Sequence, residues 1–146
     1  MPTEPFRHEI RVGWGDCDPA RIAYTARLPA FALEAIDAFW EHHLGGGQGG
    51  GWYRMELDLG FGTPFVGMAL DFRAPVTPRH RLICTVRPLK LGRKSITFGV
   101  DGHQDGVLCF DGRFTNVFTH AGGLQTREPP ADVRRLIEGL LPKGAA

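Results

Sequence analysis

The sequence predicts a single α+β domain in which a largely antiparallel sheet wraps around one long helix. Three observations carry that expectation. An amphipathic helix with a wide apolar face stands early in the chain, and four or so consecutive strand patterns follow it. The 146 residues, 42% hydrophobic, suffice to bury one core and leave little room for two. Helices set apart from a run of strands mark the α+β class. A helix this apolar needs cover on more than one side, and a sheet curled around it supplies that.

Residues 6–14 alternate, with Phe6, His8, Ile10, Val12 and Trp14 on one side and Arg7, Glu9 and Arg11 on the other, as in a half-buried strand. Gly15-Asp16-Cys17-Asp18-Pro19 then reads as a turn. Leu28, Phe31, Ala32, Ala35, Ile36, Phe39 and Trp40 recur at helical spacing and form one face of a helix about four turns long. His42 and His43 suit its C-terminal turn, and Gly45 is placed to cap it. Six of the seven residues 45–51 are glycine, which reads as a flexible loop. A phosphate-binding loop is disfavoured, because a helix precedes the glycines and no Lys-Ser/Thr follows them.

Strands are expected at Pro64–Arg73, Arg81–Leu91, Ser95–Val100 and Val107–Thr119, with turns at Pro78-Arg79, Gly92-Arg93 and Asp101–Gly106. A short helix, Ala131–Leu141, follows Pro129-Pro130 and buries Val133, Leu136, Ile137 and Leu140.

Composition narrows the function. With 17 basic and 16 acidic residues the formal charge is +1, so any anion site must be local and general nucleic-acid affinity is not expected. No apolar run approaches the ~18–20 residues of a membrane span, and no secretory leader is visible. Cys17, Cys84 and Cys109 lack CxxC spacing and read as reduced cytosolic thiols, so a cytoplasmic location is expected. The scattered histidines give no metal-ligand spacing, and neither a metal nor a cofactor is expected.

Two segments carry chemistry. The first is Trp14-Gly15-Asp16-Cys17-Asp18-Pro19-Ala20, two acids in a turn ahead of the long helix. Carboxylates there lie near unpaired helix amides, and the same amides polarise a carbonyl oxygen. An acid beside an amide-lined oxyanion site is the minimum kit for acyl transfer. The alternative is that Asp16 and Asp18 only form the turn or cap the helix. The thiol between them is a poor nucleophile, so Cys17 reads as buried and inert. Trp14, Phe31 and Phe39 are expected in the core, the alternative being that one or two of them line an aromatic acyl pocket. The second segment, Arg87, Lys90, Arg93 and Lys94, concentrates positive charge. It suits phosphates held by charge-assisted hydrogen bonds, or it is a solvated hairpin.

The acidic segment resembles the signature of the 4-hydroxybenzoyl-CoA thioesterase family, in its aspartate-dependent branch with the hot-dog fold. Gly62-Thr63-Pro64-Phe65-Val66 resembles the start of that family's next core strand, Arg93-Lys94-Ser95 its basic turn, and Pro130-Ala131-Asp132 its C-terminal segment. The resemblance runs from about Ile10 to about Asp132. It implies a hot-dog domain over residues 1–146, with five or six antiparallel strands around the helix. It also implies dimers or tetramers with active sites at the dimer interface, and an acyl-CoA substrate.

By the same resemblance, Asp18 is the catalytic carboxylate, as nucleophile or as general base. The backbone amide at or next to Thr25 polarises the thioester carbonyl, with Tyr24 adjacent. Thr63 contacts substrate, and Arg93, Lys94 and Ser95 anchor the CoA nucleotide. Asp16 becomes a structural partner in the turn. The expected activity is hydrolysis of an aromatic acyl-CoA. The alternatives are a fatty acyl-CoA or acyl-carrier-protein thioesterase, and a non-catalytic acyl-CoA-binding module.

Three departures bear on specificity. Arg21 stands where glycine commonly follows Asp-Pro-Ala. Leu33 stands where the hydroxybenzoyl-specific branch has an acid, with Glu34 one place on and facing about 100° away; this favours an unhydroxylated or differently substituted acyl group. Gln125, with Arg127 close by, stands where a basic residue is expected.

Overall fold

The computed structural model describes residues 4–45 and 49–143. Strand β1 (Phe6–Ile10) leads through a 3-10 turn, Trp14–Asp16, to helix α1 (Arg27–Leu44). A short helix α2 (Gly51–Arg54) runs into a π turn, Met55–Leu59, and the two-residue strand β2 (Phe61–Gly62). Strands β3 (Phe65–Phe72), β4 (Leu82–Leu91), β5 (Ser95–Gln104), β6 (Val107–Val117) and β7 (Thr119–His120) follow, and helix α3 (Ala131–Leu140) closes the described chain.

The main sheet has the order β1-β4-β5-β6-β3, with every pair antiparallel. β2 and β7 pair separately. All seven apolar positions read from the helical spacing, Leu28 to Trp40, are buried. On β5 the alternation is strict, with Ile96, Phe98 and Val100 inward. Phe98 meets Phe39 and Trp40 edge-on, with ring centroids 5.1 and 5.7 Å apart. These are the offset geometries that aromatic quadrupoles favour. Core and sheet thus hold α1 along its length, as the expected α+β architecture requires. α3 lies against β4 and buries Val133 and Ile137, while Leu136 and Leu140 are half-buried. No helix of the described residues is long and apolar enough to cross a membrane.

The structure corrects the expected elements in three places. The first strand stops at Ile10, and Trp14 is 74% exposed rather than in the core. The cause is Asp16, whose Oδ2 accepts the Gly13 N–H at 2.9 Å and folds the chain into the 3-10 turn. Strand β5 continues to Gln104 through residues of turn-like composition, because Gly102 is paired and the Phe110 ring packs onto its Cα. The hairpin turn is Asp105-Gly106, both at positive φ.

The third correction concerns the glycine stretch. Gly45 caps α1, its N–H donating to the Glu41 carbonyl. Residues 46–48 of the expected loop lie outside the described residues. Gly51 is buried and opens α2 against α1, where a Cβ would collide with Trp40 and the Glu41 backbone. Asp37 on α1 accepts the Trp52 N–H at 2.9 Å, which satisfies one of the free amides of α2.

Candidate active site

The acidic turn is built by its own backbone. The Asp18 N–H donates to the Ile22 carbonyl at 3.1 Å, and the Arg21 N–H returns to the Asp18 carbonyl at 2.9 Å. Arg21 adopts φ 69°, in the left-handed region where a side chain is strained and glycine is not. That conformation accounts for a preference for glycine at this position. The Tyr24 N–H donates to the Asp16 carbonyl at 2.8 Å and ties the far end of the turn to its start.

The two carboxylates differ in what they touch. Asp16 is fully engaged, with Oδ2 on the Gly13 N–H and Oδ1 on Arg27 Nε at 2.9 Å. Arg27 in turn lies over the Phe31 ring, 5.4 Å from its centroid. Asp16 therefore pins the turn to the first turn of α1, the structural role expected of it. Asp18 is half-buried. Its Oδ1 accepts the Ala20 N–H at 2.8 Å, and its Oδ2 has no hydrogen-bond partner among the described residues. One oxygen is anchored and the other, among these residues, carries no bond.

At the head of α1, the Tyr24 and Thr25 carbonyls accept from the Arg27 and Leu28 amides. The Thr25 N–H meets no acceptor among the described residues. It is an orphan donor at the positive end of the helix dipole. Tyr24 is exposed beside it. Cys17 is half-buried rather than buried, and its thiol leans on the Gly13 carbonyl at 3.7 Å. Burial and the nearby Glu34 push the Cys84 thiol up to about 12.

Thr63 lies elsewhere on the chain. It is 6% exposed and lines a cavity of about 400 Å³ with Leu33, Trp52, Glu56 and Phe65. That volume falls in the range of small-molecule pockets. The Thr63 hydroxyl donates to the Met55 sulfur at 3.7 Å, and its carbonyl accepts from Asn116 Nδ2 at 2.6 Å. Asp18 is not among the residues lining this cavity. Leu33 faces the cavity, whereas Glu34 turns to β1 and accepts from His8 Nε2 at 2.8 Å. The structure therefore places Asp18 in the turn that leads into α1 and Tyr24 and Thr25 at the head of that helix, and it leaves Thr63 in a separate wall.

Arg93, Lys94 and Ser95 form the tight turn between β4 and β5, where the Gly92 N–H donates to the Ser95 carbonyl at 2.8 Å. Arg93 is exposed and reaches Glu128 at 3.3 Å. Arg87 does not join this cluster. It sits on the outer face of the sheet with Asp101 at 3.4 Å. Arg134 on α3 donates to the Gly92 and Arg93 carbonyls at 3.2 and 2.7 Å and holds the turn from behind. Arg27, Arg134, Asn116 and Glu56 escape sequence reasoning, because each acts on a partner distant in the chain. No spacing announces them.

A five-stranded antiparallel sheet closed over one long helix, with an acidic turn at the head of that helix, defines a hot-dog domain. The model of the thioesterase-like superfamily matches residues 12–137, and the chain belongs to that family. Thioester hydrolysis is the activity this membership carries. A solved thioesterase-superfamily structure from Jannaschia sp. CCS1 is 57% identical, with a TM-score of 0.91 over 97% of this chain and 96% of that one. A 1,4-dihydroxy-2-naphthoyl-CoA thioesterase from Synechocystis shares the fold at 18% identity, with a TM-score of 0.77 over 92% and 96% of the two chains. A gentisyl-coenzyme A thioesterase does so at 22% identity, with a TM-score of 0.75 over 88% and 99%. A comparison with curated proteins gave no match.

Proposed function

We propose that this chain is one hot-dog domain over residues 1–146 that hydrolyses an aromatic or similarly compact acyl-CoA thioester to the free acid and CoA. Asp18 is the reacting carboxylate, at the thioester carbon or on the water that attacks it. The observation that carries this role is the division of labour in the acidic turn. Asp16 is spent on structure, while Asp18 keeps one oxygen anchored and one open. The Thr25 amide, an orphan donor, stabilises the oxyanion that forms at the carbonyl. Tyr24 borders that position. Arg93, Lys94 and Ser95 receive the CoA phosphates at the exposed β4–β5 turn. Two structural relatives are named for aromatic acyl-CoA substrates, which supports the same substrate class here.

The working unit is a homo-oligomer, a dimer or tetramer, with the site at the dimer interface. β3 is an outer strand of the sheet and exposes Val66, Met68 and Phe72 by 63%, 49% and 55%. An exposed apolar edge is a template for pairing with another chain. Phe65, which opens β3, lines the Thr63 cavity, so a second copy on that edge adjoins the cavity. Two buried free thiols, Cys84 and Cys109, suit the reducing cytoplasm.

The test is thiol release from benzoyl-, phenylacetyl- and C4–C16 acyl-CoA by the wild type and by Asp18→Asn. Turnover of the compact aromatic esters that collapses in the variant, with CoA binding retained, supports the proposal. Near-wild-type hydrolysis by Asp18→Asn sinks it. A preference for the long-chain esters moves the substrate class to fatty acyl groups.

A further inference from the structure

The cavity beside Thr63 is apolar except at one point. Leu33, Met55, Pro64, Phe65 and Leu124 supply its walls, and Glu56 is the one charged residue among those that line it. Thr63 offers a ligand little, since its hydroxyl is taken by the Met55 sulfur and its carbonyl by Asn116.

Glu56 is held on purpose-built backbone. It projects from the π turn, and its Oε2 accepts the Gly122 N–H at 2.8 Å. Its Oε1 rests against Gly62, where a Cβ would overlap it, so the carboxylate occupies space that only glycine leaves free. Among the described residues Oε1 accepts no hydrogen bond. In the same wall the Trp52 indole N–H is buried with no acceptor.

Glu56 is exposed in the free chain, and an acyl group seated in this open cavity is what strips water from it. A bare hydrocarbon ring leaves the free carboxylate oxygen unpaired, which is costly. A ring bearing a hydroxyl donates to it and restores the lost bond.

We propose that Glu56 is a specificity-determining residue that accepts a hydrogen bond from a hydroxyl on the acyl group, a role that rests on the thioesterase function proposed above. Discrimination then comes from the wall formed by the π turn and Gly62, and α1 contributes only the apolar Leu33. The preference runs toward hydroxylated acyl groups, opposite to what Leu33 alone implies.

The experiment uses the full-length protein and non-hydrolysable thioethers, S-phenacyl-CoA and its 3- and 4-hydroxy derivatives, titrated by calorimetry. One hydroxylated thioether is expected to bind the wild type about ten- to a hundredfold more tightly than S-phenacyl-CoA. That ratio is expected to fall toward one in Glu56→Leu and in Gly62→Ala, which displaces the carboxylate without removing it. Glu56→Gln, which keeps an acceptor and the shape, is expected to retain part of it. No preference in the wild type, no binding of any thioether, or a preference that survives in both Glu56→Leu and Gly62→Ala overturns the assignment. A Glu56-dependent preference in a protein that releases thiol from no acyl-CoA supports the role of Glu56 and instead defeats the thioesterase reading.

Discussion

The acidic turn ahead of α1 holds its shape mainly by hydrogen bonds among its own residues, with one tie outward from the Ala23 N–H to the Val76 carbonyl at 2.7 Å, whereas the segment from Gly49 to Thr63 is shaped by what it presses against. In the turn, Gly13, Asp16, Asp18, Arg21, Ile22 and Tyr24 satisfy one another within a dozen positions. In the later segment, Gly51 is set by Trp40, the Trp52 amide by Asp37, Glu56 by Gly122, and Thr63 by Asn116. A turn held mainly by local bonds lets its two carboxylates differ in what they touch. A segment built on distant contacts passes damage on to the elements it packs against.

This contrast breaks or sharpens under substitution. The largest effect is expected from Asp18→Asn, which should lower kcat about a hundred- to ten-thousandfold while thermal melting stays near wild type. A fall in stability comparable to the fall in rate would show that the Asp18 side chain is a main support of the turn. Gly51→Ala should do the reverse, costing about 2–3 kcal/mol of stability in denaturant titration, because its Cβ meets the α1 backbone as well as a side chain. If it proves neutral, α2 is not pressed on α1 as described.

Asp16→Asn comes next. It weakens the bond to a partly exposed Arg27 and the tie to Gly13, and should cost about 1 kcal/mol. Its loss of activity should follow from a loosened turn and be far smaller than that of Asp18→Asn. Equal losses in rate from the two variants would place the chemistry on both. The smallest effect is expected from Arg21→Gly, which relieves the left-handed strain at φ 69°. Part of that gain is offset by the freer unfolded chain, leaving about 0.5–1 kcal/mol of added stability, visible as a small rise in Tm.

The same contrast explains what the sequence made legible. Helix α1 and strand β5 announce themselves because their burial repeats with their own geometry, and every apolar position read from α1 is buried. The acidic turn was readable because its signature is contiguous. Trp14 misled because alternation continues past Ile10, and only the Asp16 bond to Gly13 ends the strand. Helix α2 was hidden because a glycine at its start argues locally for a loop, and the reason for that glycine lies on α1. Glu56 gave no signal at all. Its position depends on Gly62 and Gly122, and neither lies next to it in sequence. Arg87 belonged to the basic cluster by proximity in the chain, but strand alternation turns it to the outer face beside Asp101.

Arg134 has a practical bearing on how the protein is handled. Its guanidinium spans from the last helix to the carbonyls of Gly92 and Arg93, so α3 acts as a brace for the β4–β5 turn. A chain cut before Ala131 keeps the acidic turn and all the strands of the main sheet, yet it surrenders the brace. Such a shortened protein also loses Val133 and Ile137 from the core, and under the proposed roles its affinity for CoA esters is expected to fall together with its stability.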